Sequence, residues 1–219
     1  MKIYDISLSL SNELPVWPGD QAISLMMNSA IRKGDQCNKT EIHMGTHSGT
    51  HIDAPYHFIN HGATIDAIPI EIFVGPCMVV EIDTETLIGK NDLQRCKFNG
   101  HTRILIKTKN SRLWANNVSS FETNYVALGI DGAKYLAERN IILVGIDYLS
   151  IEGFRARDFP VHKLLLKNNI IILEGLNLSG IETGTYELIC VPLKLMGCDG
   201  APARVLLRGQ ETSSTGDII

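Results

Sequence analysis

At 219 residues the chain is long enough for one substantial core and short for two full domains. Its 44% apolar and 20% charged residues are those of an ordinary globular protein, and a net charge of −4, with Lys and Arg scattered, gives no basic surface for nucleic acid or an anionic membrane. No apolar stretch approaches membrane-spanning length.

The first residues, MKIYDISLSL, alternate like a strand over 3–8, with neither the hydrophobic block nor the cleavage site of a signal peptide. A proline-rich turn follows, Asn12 to Asp20, carrying Trp17 between Pro15 and Pro18. Rigid loop geometry there suits an aromatic shelf for a flat ring, although packing alone explains a tryptophan equally well. Residues 23–31 suggest a second strand, and 37–44 lead into the most unusual stretch of the chain.

From Glu41 to His61 the sequence reads EIHMGTHSGTHIDAPYHFINH and holds five of the seven histidines. Imidazole and carboxylate at close spacing are ligands for zinc, manganese or iron. His47, His51, Asp53 and His57 share odd parity, so an extended segment would aim all four at one face. A helix would align His47 with His51 but turn Asp53 away. The β-branched Thr46, Thr50 and Ile52 and the helix-opposing Pro55 favour the extended form, with Gly45 and Gly49 allowing bends. The bland alternative is a polar loop of solvated histidines; three imidazoles and a carboxylate in register weigh against it.

Beyond this stretch, 63–73 reads as a loop with a short helix, and 77–83 and 103–108 as strands. A brief helix beginning at Asn91 lies between those strands. Asp131 is placed to cap a helix ending near Asn140, followed by a buried strand at 141–147. Another short helix spans 159–168 with Pro160 in its first turn. Strands are expected at 170–174, 187–192 and 203–207, and a polar tail at 209–219. The five cysteines (37, 77, 96, 190 and 198) are odd in number and include no CxxC pair, which suggests reduced thiols in a cytoplasmic protein. The sum is one α/β domain with a mixed, sheet-rich core and short helices.

Two downstream residues stand out. Glu174 ends the apolar run Ile170 to Leu173, where a carboxylate is costly unless paired or bound to a cation. His162 lies on a helix that otherwise supplies leucines to the core, where a histidine is more often satisfied by a backbone carbonyl.

The pattern His47-x-Gly49-Thr50-His51-x-Asp53-x-Pro55-x-His57 resembles that of the cyclase-like metal-dependent hydrolases, whose best-known members are bacterial kynurenine formamidases. The likeness covers nearly the whole chain. It includes Trp17-Pro18-Gly19-Asp20, the turn Gly145 to Ser150, His162, Leu173-Glu174-Gly175-Leu176, Val191-Pro192-Leu193 and Asp199 to Arg204.

The resemblance implies a swivelling β/β/α domain over residues 1–208, commonly dimeric or tetrameric, with two divalent cations, zinc first and manganese second. His47, His51 and Asp53 would bind one ion. Asp53 and Glu174 would bridge to the other, and His162 would complete its shell. His57 would stay unligated as general acid/base, and Trp17 would line the substrate pocket. Cations bring the pKa of water from 15.7 towards about 7, and a neutral imidazole can accept and return a proton at that pH. The implied reaction is hydrolysis of N-formyl-L-kynurenine to formate and L-kynurenine. An isatin-hydrolase-like enzyme would share the metal machinery and differ in the pocket wall. A non-catalytic metal protein would saturate four ligands with no spare proton carrier, whereas five candidate ligands and His57 exceed that need. No role falls to His43 or His61.

Overall fold

The computed structural model describes residues 2–116 and 118–209. Strand β1 (Ile3–Asp5) opens the chain, and β2 (Ser24–Ser29) and β3 (Lys39–His43) form a separate antiparallel ribbon. The histidine stretch contributes β4 (His51–Asp53). Then come β5 (Val74–Glu81), β6 (Leu87–Ile88), α1 (Lys90–Arg95), β7 (Arg103–Lys107), α2 (Ser111–Ala115) and β8 (Ala127–Leu128). Helix α3 (Ile130–Ala137), β9 (Leu143–Ile146), α4 (Pro160–Lys167) and β10 (Ile171–Glu174) follow. The last strands are β11 (Gly184–Ile189), β12 (Gly200–Pro202) and β13 (Leu206–Gly209).

Nine strands form one sheet in the order β1-β13-β11-β5-β7-β9-β10-β4-β12. Its centre, β5 to β7 to β9 to β10, is parallel and its flanks are antiparallel. The central strands are apolar on both faces, as parallel strands covered on both sides require. On one face Met78, Val80, Ile104, Ile106, Val144 and Ile172 pack with Leu93 of α1, Leu136 of α3 and Leu165 of α4. On the other, Val79, Leu105, Leu143 and Leu173 meet Ile6, Ile52, Phe73 and Leu207, so the sheet curls over its own flanks. The expected sheet-rich α/β architecture with short helices is the one found.

Local differences have physical causes. The extended reading of residues 47–57 holds only for His51–Asp53: residues 47–50 turn, Gly49 taking φ +68°, and Pro55–His57 form a 3-10 turn. The first strand stops at Asp5 because the chain then leaves β13 and bridges at Ser7 to Leu176. Asp131 does not cap its own helix; its carboxylate accepts the N–H of Lys90 at 3.0 Å, and Gly89, not Asn91, precedes α1. Helix α2, β6, β8 and β12 were not expected. The N–H groups of Thr108, just before α2, and of Ser111, its first residue, are held by the buried carboxylate of Asp147 at 2.7 and 3.0 Å, a partner 36 residues distant from Ser111. Of the polar tail expected at 209–219, Gly209 ends β13 and the rest lies outside the described residues.

Candidate active site

The site forms where the antiparallel flank leaves the parallel centre of the sheet. β4 pairs with β10, so His51 lies opposite Glu174 and Asp53 opposite Ile172. β12 pairs with the other edge of β4, bringing Gly200 opposite Asp53 and Asp199 alongside. His51 and Asp53 share a face, while Ile52 between them enters the core. Helix α4 presents His162 to the same point. Gly175, at φ +70°, allows the backbones to meet: a Cβ there would lie 2.2 Å from the Gly49 carbonyl oxygen.

The side chains converge closely. His51 Nε2 is 3.3 Å from both Asp53 Oδ1 and Glu174 Oε2. His47 Nδ1 is 2.8 Å from Asp53 Oδ1, and His162 Nε2 is 3.2 Å from Glu174 Oε1 and 3.7 Å from Asp53 Oδ2. His51, Asp53, His162 and Glu174 are at most 4% exposed. His47 and His57 lie nearer solvent, their rings stacked with centroids 3.8 Å apart. All six residues expected at a metal or proton-transfer position therefore lie in one cluster.

The electrostatics depend on how the imidazoles share the carboxylates. Burial opposes charging His51, but Asp53 and Glu174 outweigh it and push the imidazole up to about 10. His162 is likewise raised to about 10, against burial, by Glu152, Glu174 and Asp53. Burial raises the Asp53 carboxyl, yet His47 and His51 hold it well below the usual range. Glu174, destabilised as an anion by burial and by Asp53, is lowered by His162 and His51. His57 behaves differently: burial pulls it below the ordinary imidazole value, opposed by Asp53 and assisted by His47 and His162.

One atom tests the fit to a cation. Asp53 Oδ2 is buried with no hydrogen-bond partner, a costly state for a carboxylate oxygen. Asp53, His162 and Glu174 each offer a ligand-type atom, all within 4.8 Å of one another; His47, His51 and Asp53 form a second such group, and His47, His57 and Asp199 a third nearer solvent. Asp53 belongs to the first two, the more deeply buried pair. The donor set of imidazole and carboxylate fits zinc or manganese.

Trp17 and His57 border a cavity of about 310 Å³ with Phe58, Phe159, Ser150 and Glu174. Trp17 is braced behind by Phe121 and Phe154, ring centroids 5.4 and 5.3 Å away. His43 is exposed and pairs with Glu41, away from this cluster; His61 is exposed.

Residues 4–153 match the family pattern described as "Putative cyclase". The chain belongs to the Cyclase family. Among its Cyclase-family relatives, a protein named kynurenine formamidase from Geobacillus thermodenitrificans is 38% identical over 205 residues, covering 93% of this chain and 96% of that one. A solved structure described as "predicted metal-dependent hydrolase from Bacillus stearothermophilus" superposes with a TM-score of 0.81 at 35% identity, covering 94% of this chain and 97% of that chain. Isatin hydrolase A from Ralstonia solanacearum shares the fold, with a TM-score of 0.79 at 23% identity over 94% of this chain and 91% of that chain.

Two acidic residues of this Cyclase-family site carry roles that sequence reading left unassigned. Asp199 Oδ2 accepts from His47 Nε2 at 2.9 Å and from His57 Nδ1 at 3.2 Å. It stood within the resemblance motif, but nothing local distinguishes it from a turn aspartate. Glu152 Oε2 accepts from His162 Nδ1 at 2.8 Å. A carboxylate just after the apolar Leu149 and Ile151 was the available signal.

Proposed function

We propose that this Cyclase-family protein is a metal-dependent hydrolase that cleaves the formamide of N-formyl-L-kynurenine to formate and L-kynurenine. The observation that carries the metal reading is Asp53, a buried carboxylate common to two ligand groups with one oxygen otherwise unpartnered. The kynurenine formamidase relative at 38% identity supports the substrate. His47, His51 and Asp53 would hold one divalent ion, and Asp53, Glu174 and His162 a second; zinc is the expected metal, with manganese next. When bound, such ions make water nucleophilic near neutral pH and favour the oxyanion that forms on attack.

Hydrolysis joins the oxygen of water to the formyl carbon, breaks the C–N bond and adds a proton to the departing nitrogen. His57 suits the proton transfer. Its Nδ1–H is held by Asp199, which leaves Nε2 to take up a proton and hand it on. The burial that lowers its pKa keeps the ring neutral at pH 7, able to act first as base. Trp17, stiffened by Phe121 and Phe154, offers a face against which the kynurenine ring can rest.

A homodimer or homotetramer is supported by the β2–β3 ribbon, where paired Leu25 and Ile42 share a face with Met27. Met27 and Ile42 are 53% and 58% exposed there. Cytoplasmic placement is supported by free thiols at Cys37, Cys77, Cys96, Cys190 and Cys198. Among the described residues, no helix is long and apolar enough to cross a membrane.

The deciding experiment compares N-formyl-kynurenine, isatin and simple aryl formamides on protein of measured metal content. Turnover of N-formyl-kynurenine, lost with chelator, is the expected result. Turnover of isatin alone rejects the substrate assignment, and bound metal without turnover of any of the three rejects the enzyme.

A further inference from the structure

Glu152 is 2% exposed and belongs to none of the three ligand groups. Its carboxylate accepts three hydrogen bonds, all from the start of α4. Val161 N–H donates to Oε1 at 3.0 Å, His162 N–H to Oε2 at 3.2 Å, and His162 Nδ1–H to Oε2 at 2.8 Å. The helix has no cap of its own. Phe159 precedes Pro160 without a side-chain acceptor, and Asp158 and Phe159 both take left-handed backbone angles, φ +63° and +49°. Glu152 thus reaches in from the loop after β9 to satisfy two N–H groups that the helix itself leaves unpaired.

Capping alone does not require the third bond. A carboxylate can only accept, so the shared oxygen fixes the imidazole proton on Nδ1. The other nitrogen, Nε2, then faces Glu174 Oε1 at 3.2 Å and Asp53 Oδ2 at 3.7 Å. His51 is held differently, its Nδ1–H donating to the neutral carbonyl of Gly49 at 3.0 Å. An anionic acceptor behind an imidazole raises its basicity as a ligand more than a neutral carbonyl does.

We propose that Glu152 is the positioning residue of the second cation site: it holds Nδ1–H of His162, so that only Nε2 can bind a divalent ion beside Asp53 and Glu174. The same carboxylate anchors the first turn of α4, which makes placement of the ligand and folding of the helix one event. The inference rests on the two-cation reading above.

The test is zinc titration of the full chain against a chromophoric chelator, with Glu152→Gln beside the wild type. Glutamine keeps the shape of glutamate but offers one accepting oxygen where three donors converge. The wild type should take up two ions; the variant should keep the first at unchanged affinity and bind the second about 10–100-fold more weakly. A folded variant, by circular dichroism and thermal unfolding, that binds both ions as the wild type does overturns the proposal. If the variant does not fold, ¹⁵N chemical shifts of the zinc-loaded wild type decide. Protonated Nδ1 and metal-bound Nε2 on His162 are expected, and the reverse overturns the proposal. A wild-type chain without a second ion brings down the two-cation reading itself; that failure is distinguishable because it appears before any substitution.

Discussion

The two sides of the site are built in opposite ways. His47, His51, Asp53 and His57 come from eleven consecutive residues, whereas His162, Glu174 and Glu152 arrive from α4, the end of β10 and the loop after β9. The first side is held by short-range turns and by one strand pairing. The second depends on the parallel sheet bringing separate elements to a common edge. They meet at Asp53, and at Gly49 and Gly175, where the two backbones touch. The two ligand groups share one carboxylate, so its loss should be felt on both sides although their folding origins differ.

The largest effect should come from Asp53→Asn, which takes a shared anion from both sides. The expected protein retains neither ion by elemental analysis and has no measurable turnover. In chelator it loses about 3–5 kcal/mol in urea unfolding, because buried imidazoles lose their partner. Retention of one ion at full affinity would show that Asp53 does not serve both groups. His57→Ala is expected to keep both ions while kcat falls about 10²–10⁴-fold. His57 also stands with His47 and Asp199 within ligand distance, so loss of an ion in this variant would make it a ligand instead.

Gly175→Ala tests the contact between the sides. The added Cβ would fall on the Gly49 carbonyl oxygen in a backbone conformation that L residues avoid. We expect about 1–3 kcal/mol lost in thermal unfolding and weaker binding at both ion sites. An unchanged Tm would mean that the backbones part freely. The remaining test is a pH slope. In the metal-free chain His51 and His162 are raised from about 6.5 in the unfolded state to about 10. Their stabilising contribution is therefore complete below the unfolded value and is lost as pH rises through the folded one. Calorimetry in chelator should show Tm falling between pH 7 and 10. Zinc should flatten that slope, with protons released on loading.

The sequence made the first side legible because its chemistry is dense. Residues of ligand type recur at even spacing, and no packing requirement explains three imidazoles and a carboxylate within eleven residues. The extended backbone that this parity implies exists only over His51–Asp53. His47 and His57 reach the cluster through turns, since Gly49 and Pro55 break the strand on either side. Glu174 was visible as a carboxylate closing an apolar run. Glu152 and Asp199 were not assigned because each acts through an imidazole distant in sequence, 10 and 142 to 152 residues away. The same reason hid the true role of Asp131, which serves α1 rather than its own helix.

What the amino-acid order alone determined is the inventory: a sheet-rich α/β chain, its central strands, and residues of metal-ligand type concentrated at 47–57. Periodicity and residue type report such things because they depend on near neighbours along the chain. Only the tertiary structure decided which carboxylate fixes which imidazole, and that Asp53 is common to both groups. Those choices are made by strand order and by hydrogen bonds across long sequence separations, where burial leaves each donor few partners, and local pattern holds no record of them.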